Sequence, residues 1–360
     1  MRMQSAYLIL ENGTVFKGKR FGAVGDVTGE LVFTTAMTGY LETLTDPSYY
    51  GQLVVQTFPL IGNYGVIPAD FESAAPALKA YIVRDWCQEP SNFRCEGVLD
   101  TFLKEKGVVG LYGLDTRALT RIVREHGVMN AIITDRPSLT EQETEALRAY
   151  RVEQAVASVT TGDSYTTTPE QTKHRVVLWD FGAKKNIERE LVKRGCEVTV
   201  VPATATAADI LALNPDGIML SNGPGDPAEN TGVIEQLREL NKAALPTFGI
   251  CLGHQLLALA SGGKTEKLKY GHRGANQPAL HLPTGRVYIT SQNHGYAVVG
   301  DSLPDTAEVS FINANDGTCE GVDYTDKPAF SVQFHPEAAA GPLDTAFLFD
   351  RFVSMMEGGN

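Results

Sequence analysis

The chain has 360 residues, 43% of them hydrophobic, enough for two ordinary domains that each bury a core. Its 31 Lys and Arg against 43 Asp and Glu give a formal net charge of −12, with the acidic residues scattered along the chain. That balance argues against a phosphate-tracking nucleic-acid surface and against a polybasic membrane anchor.

The opening stretch MRMQSAYLILENGTVFKG carries a short apolar run closed by Glu11 and Asn12, too short for a signal-peptide core. Later apolar stretches are broken by Pro, Gly or a charge before membrane-spanning length, so a soluble cytoplasmic protein is expected. The first part is rich in Gly, Thr and aromatic residues, with short β-like runs such as ELVFTTAM and GQLVVQTF. One helix is well marked, DTRALTRIVREHG, with Asp115 as N-cap and Gly127 as its stop. An α+β domain over residues 1–155 is expected. SVTTGDSYTTTPEQTKH has no apolar periodicity, and 156–173 reads as a linker.

From residue 174 onward, short β-rich runs alternate with amphipathic helical patterns: RVVLWDFG, KKNIERELVKRG, CEVTVVPA, AADILALN, GIMLSNG, GVIEQLRELNKA, PTFGIC and LGHQLLALASGG. Such an alternation predicts an open, mostly parallel α/β sheet flanked by helices on both faces, here over 174–360. RVYITSQ, AEVSFIN and FSVQFH read as strands at or beyond its edge, and TAFLFDRFVSMM as a closing helix.

The five cysteines are widely spaced, with no C-x-x-C pair, so neither a disulfide framework nor a metal site is expected. Four of them read as small buried hydrophobes. Cys251 differs, because GICLG has the form glycine-x-nucleophile-x-glycine. A strand-to-helix turn sharp enough to expose a nucleophile leaves no room for side chains two positions away on either side. A thiol there would sit at a helix N-terminus, where the dipole and free N–H groups favour the thiolate. The five letters fit a buried structural cysteine equally well.

A reactive thiol needs a base. His254 would lie one turn along the same helix, suited to packing. His294, in SQNHGYAVV, has no carboxylate close in sequence. His335 ends an apolar strand in SVQFHPEA, with Glu337 two residues on, an acid placed to fix the imidazole tautomer. His335 with Glu337 is therefore the preferred pair. The turn SNGPGDP at 221–227 exposes backbone N–H groups suited to an oxyanion hole, at the strand ends where α/β sheets place their sites. SGGKT at 261–265 ends like a phosphate-binding loop, but Ala258 stands where that motif needs glycine, so it reads as a helix stop before a strand.

SNGPGDP, FGICLGHQ, SQNHG and SVQFHPEA, in this order, resemble the class I (triad) glutamine amidotransferase domain. GELVFTTAMTGYLETLTDPSYYGQLVVQTFPLIGNYG and GLYGLDTRALTRIVREHG resemble the amino-terminal domain of the carbamoyl-phosphate synthase small-subunit family. The resemblance implies that Cys251 attacks the glutamine amide, His335 acts as base and acid, and Glu337 orients it. It implies an oxyanion hole from Gly225 and the Leu252 N–H, and glutamine held by Gly223, Gln255, Asn293, Gly295, Tyr296 and Ser48. It further implies a large synthetase subunit as partner, which uses ATP and magnesium to make carbamoyl phosphate from bicarbonate and the channelled ammonia, for arginine and pyrimidine synthesis. No cofactor is expected in this chain, and residues 1–155 are expected to dock the partner. Three other readings stand beside this one: an amidotransferase of another pathway, a free-standing cysteine hydrolase and a non-catalytic docking subunit.

Overall fold

The computed structural model describes residues 5–358, which divide into two compact units, Met1–Glu153 and Gln154–Asn360. The first unit is built on nine strands: β1 (Ser5–Leu10), β2 (Val15–Gly22), β3 (Val27–Thr34), β4 (Gln52–Gln56), β5 (Leu60–Ile61), β6 (Ala80–Val83), β7 (Asp85–Trp86), β8 (Val109–Tyr112) and β9 (Met129–Thr134). Seven of them close into a barrel in the order β1-β2-β8-β6-β4-β3-β9, with β9 returning to pair antiparallel with β1. Closure removes the unpaired edges that short strands would otherwise expose. In β2 the pleat turns Lys17 and Lys19 to solvent, while Gly18 and Arg20 face inward. Arg20 is neutralised by Asp135 at 2.6 Å.

Four helices accompany the barrel: α1 (Tyr40–Thr45), α2 (Leu99–Glu105), α3 (Thr116–His126) and α4 (Glu141–Ala149). The side chain of Asp115 accepts from the Ala118 N–H at 2.9 Å, the cap expected for α3. Tyr40, Leu41, Leu44, Leu99, Phe102 and Leu103 pack with Val32, Val54 and Tyr81 of the barrel into one core.

The second unit begins at Gln154, two residues before the segment read as a linker, and includes all of that segment. Residues Ala155–Val159 form helix α5, and Tyr165–Thr167 form strand β10, antiparallel to β12 (Cys196–Pro202). That expectation is corrected, and the reason is local. Tyr and Thr favour the pleated surface, and a polar strand suits a sheet edge. Tyr165 and Thr167 both donate to the buried carboxylate of Glu188, at 3.0 and 2.7 Å.

The remaining strands are β11 (His174–Asp180), β13 (Gly217–Leu220), β14 (Thr247–Ile250), β15 (Thr265–His281), β16 (Arg286–Val298), β17 (Ala307–Asn313), β18 (Cys319–Tyr324) and β19 (Ala329–Val332). With β10 and β12 they form one ten-stranded sheet, ordered β10-β12-β11-β13-β14-β19-β18-β16-β15-β17. β12, β11, β13, β14 and β19 run parallel, and the strands beyond β19 add an antiparallel extension. One face is covered by α7 (Ala207–Ala212), α8 (Thr231–Asn241) and α9 (Leu252–Ala260), around Ile210, Leu237 and Leu256. The other is covered by α6 (Lys185–Lys193) and α10 (Phe347–Met356), around Ile187, Leu191, Phe349 and Phe352. Helices on both faces explain why the central strands read as unbroken apolar runs. No helix among the described residues is long and apolar enough to cross a membrane.

Candidate active site

Three parallel strands end side by side, and each is followed at once by residues singled out from the sequence: β13 by Ser221–Asp226, β14 by Cys251, β19 by His335 and Glu337. Cys251 links β14 to α9 with φ 53° and ψ −102°, a conformation that L-residues avoid. Its N–H still donates to the Val332 carbonyl at 2.8 Å, so the parallel ladder runs up to the cysteine itself. A Cβ on Gly249 would lie 2.9 Å from the backbone of Gly253, and one on Gly253 would lie 2.4 Å from the Leu220 carbonyl oxygen. Both glycines are therefore set by the sharpness of the turn. Helix α9 begins immediately, and the Leu252 N–H in its first turn has no intrahelical acceptor.

His335 Nδ1 and Glu337 Oε1 are 2.7 Å apart, and both residues are buried. With Nδ1 held by the carboxylate, Nε2 is left to meet the sulfur. Nε2 has no hydrogen-bond partner of ordinary geometry among the described residues, and Cys251 is a close electrostatic neighbour of the ring. Burial and the Lys184 ammonium pull the His335 pKa down, but Glu337 and Cys251 outweigh them and hold it at about 9. Burial pushes the Glu337 carboxyl up, yet His335 and Lys184 keep it below its ordinary value.

The proton on His335 is bound more tightly in the folded chain than in the unfolded one. Its contribution to stability is complete below about pH 6.5 and is lost as pH rises through about 9. The melting temperature should fall across that window, and Glu337→Gln should flatten the fall. A slope identical in both proteins would show that the pair is not the source.

Two residues that sequence reasoning passed over belong to this cluster. Lys184, at the N-cap of α6, places Nζ 3.5 Å from Glu337 Oε1 with its side chain buried. A lysine at a helix N-terminus opposes the helix dipole, which was the available signal. Gln333 donates from Nε2 to the Cys251 sulfur at 3.5 Å, and its Oε1 accepts from Gln255 Nε2 at 2.9 Å. Its signal was an amide buried between two apolar neighbours, two residues before His335.

The structure places the other expected residues as follows. Gln255 also donates to the Tyr296 carbonyl at 2.7 Å, tying α9 to residues 293–296 of β16, and the Asn293 carbonyl lies 3.7 Å from the Cys251 sulfur. Gly295 and Tyr296 follow in the same strand, half-buried, where its register against β15 shifts. Gly225 adopts φ +90°, and a Cβ on Gly223 would lie 2.3 Å from the Phe181 carbonyl oxygen. Ser48 belongs to the first unit, in a short 3-10 turn where its N–H donates to Asp46 at 2.9 Å. His254 donates to or accepts from Ser331 at 2.8 Å, and burial takes its pKa down to about 3, so it packs as a neutral ring. In SGGKT, α9 stops at Ala260 and β15 begins at Thr265.

Comparison with known proteins gives a consistent result. Residues 8–133 match the family described as carbamoyl-phosphate synthase small chain, CPSase domain, and residues 177–355 match glutamine amidotransferase class-I. The carbamoyl phosphate synthase small chain of Syntrophotalea carbinolica is 51% identical over 369 residues, covering 98% of each chain. That of Clostridium perfringens is 51% identical over 348 residues, covering 97% of this chain and 98% of its own. That of Bacillus cereus is 52% identical over 351 residues, covering 97% and 95%. Two family matches in sequence order, with relatives half identical along almost the full length, show that the chain belongs to the carbamoyl phosphate synthase small chains, the glutamine-hydrolysing subunits of that synthase.

Proposed function

We propose that Cys251 is the nucleophile of glutamine hydrolysis, with His335 as its base and acid and Glu337 as the residue that orients the imidazole. The observation that carries this is the 2.7 Å contact between His335 Nδ1 and Glu337, which leaves Nε2 for the thiol on the neighbouring strand end. The thiolate attacks the side-chain amide carbon, and the resulting oxyanion takes hydrogen bonds from the Gly225 and Leu252 N–H groups. Each such donor is worth about 3 kcal/mol in comparable sites. His335 then protonates the departing ammonia, the C–N bond breaks, and a γ-glutamyl thioester remains. Water, deprotonated by the same imidazole, hydrolyses it to glutamate.

Gly223, Gln255, Asn293, Gly295 and Tyr296 hold the glutamine. Ammonia that escapes to water is protonated and lost to the synthesis, so it passes directly to the large chain. That chain binds ATP and magnesium and consumes ammonia with bicarbonate. The first unit docks the large chain, and the complex works in the cytoplasm. The test is glutamine hydrolysis by the chain alone and with a large chain, ATP and bicarbonate. Weak activity alone and strong stimulation by the partner are expected, and deletion of residues 1–150 should abolish the stimulation. Full activity without a partner would overturn the coupled reading.

A further inference from the structure

Beside residues 293–296 of β16 lies a buried polar chain that the hydrolytic residues do not use. Gln292 donates from Nε2 to Glu320 Oε2 at 2.9 Å and to Thr290 Oγ1 at 3.1 Å. The Thr290 hydroxyl is itself committed as donor to the Gln277 carbonyl at 2.8 Å, so towards Gln292 it acts as acceptor. The amide oxygen of Gln292 consequently faces His294 Nε2, at 3.1 Å. On the other side of the same ring, Nδ1 meets the Tyr296 carbonyl at 2.7 Å. Both neighbours are acceptors. A neutral imidazole has a single N–H, so satisfying both takes one proton more.

The ring's surroundings oppose a charge there. Burial first, then His272, Arg273 and His335, hold the His294 pKa well below its ordinary value. The offsetting anion is Glu320 on β18, wholly buried, whose carboxyl burial pushes up while His272, Asn313 and Gln292 pull it down. His272 in turn lies 3.3 Å from Glu320 and 2.8 Å from Asp316. The extra proton thus has two seats. It sits on His294 while Glu320 is ionised, or on Glu320 with the Gln292 amide turned over at the expense of its Thr290 contact. In the second arrangement the amide NH2 donates to His294 Nε2 and the amide oxygen accepts from the acid. Nδ1–H donates to Tyr296 in both. Without that proton, one contact of the chain brings two acceptors face to face, at a cost typical of an unmade buried hydrogen bond.

The Tyr296 carbonyl also accepts from Gln255 on α9, so this bond helps fix this part of β16 against the helix that Cys251 caps. We propose that Glu320, Gln292 and His294 share one buried proton and act as positioning residues for glutamine, holding the 293–296 backbone in register with the nucleophile. The inference rests on the reading of 293–296 as the glutamine-holding segment of β16. The ligand atoms of His272, His294 and Glu320 lie within 4.8 Å of one another, as in a metal site, but each already faces a protein hydrogen-bond partner.

The experiment measures KM and kcat for glutamine across the whole pH range in which the chain stays folded and paired to its large subunit. Wild-type KM should rise about tenfold as the shared proton leaves, the worth of one buried hydrogen bond. Glu320→Gln supplies a permanent N–H in place of the acid, so its KM should stay low and flat. A flat wild-type KM, or a Glu320→Gln profile that follows the wild type, overturns the proposal.

Gly295→Val runs beside it as a test of the 293–296 reading. The one atom a Cβ there would meet within 4 Å is a guanidinium nitrogen of Arg273, at 3.2 Å, so the substitution should raise KM by touching glutamine. An unchanged KM for Gly295→Val would sink that reading and the proposal with it. A raised KM there, with an unaltered profile in Glu320→Gln, would sink the shared proton alone. If Glu320→Gln does not fold, nitrogen-15 NMR of the histidine-labelled wild-type chain decides the matter. Nδ1 of His294 should carry a proton at neutral pH, and a neutral ring protonated at Nε2 overturns the proposal.

Discussion

Replacing Cys251 by alanine or glycine is expected to lower glutamine hydrolysis at least about ten-thousandfold, since hydrogen-bond donors alone leave only a small residual catalysis once the nucleophile is gone. The two variants should differ in stability in an unusual sense. In most positions glycine is less stable than alanine because it has more chain entropy to lose. At φ 53° and ψ −102° an alanine keeps the steric conflict of the native turn, whereas glycine releases it. Cys251→Gly should therefore be more stable than Cys251→Ala by about 1 kcal/mol. Urea unfolding of both proteins measures this directly. Equal stability, or a more stable alanine variant, would mean that the turn stores no strain.

Gly253→Ala should destabilise the second unit by about 3 kcal/mol or more and abolish hydrolysis. Within a helix the same exchange ordinarily stabilises by about 1 kcal/mol, so the sign of the change is diagnostic. The new methyl would lie 2.4 Å from the Leu220 carbonyl oxygen and 2.7 Å from its carbonyl carbon. Neither atom can yield, because β13 is held in the parallel ladder between β11 and β14. The helix must move instead, breaking the 2.9 Å bond from the Gly253 N–H to Ser221 and displacing the nucleophile. Thermal unfolding of the variant gives the answer, and a higher melting temperature would show that the helix start is looser than its geometry implies.

The parts of the site legible in the sequence are those that local geometry dictates. The glycines at 249 and 253, the cysteine between them and the His335–Glu337 spacing each express a constraint that acts over a few residues. Lys184 and Gln333 could not be read in that way, because each acquires its meaning from a partner on another strand end. The same holds for Gln292 and Glu320, which meet only because β16 and β18 belong to one sheet. The fold divides along the same line. Alternating strands and helices announce the parallel sheet, whereas closure of the barrel depends on β9 returning to β1, a pairing no local pattern encodes. The segment 156–173 was misread because polar strands at a sheet edge lack the apolar alternation that marks half-buried ones.

The strands that carry Cys251 and His335 are immediate neighbours, paired from Thr247–Ala329 to Ile250–Val332, although the hairpin and two further strands lie between them in the chain. The spacing of the two strands that bring Cys251 and His335 to one sheet end, about 4.8 Å in such ladders, owes nothing to the length of the intervening excursion. Evolution or an engineer could lengthen, trim or decorate the outer end of the β15–β16 hairpin, around 282–286, and leave the reacting pair in place. The fold keeps its chemistry on one ladder and leaves its variable territory on a branch of that ladder.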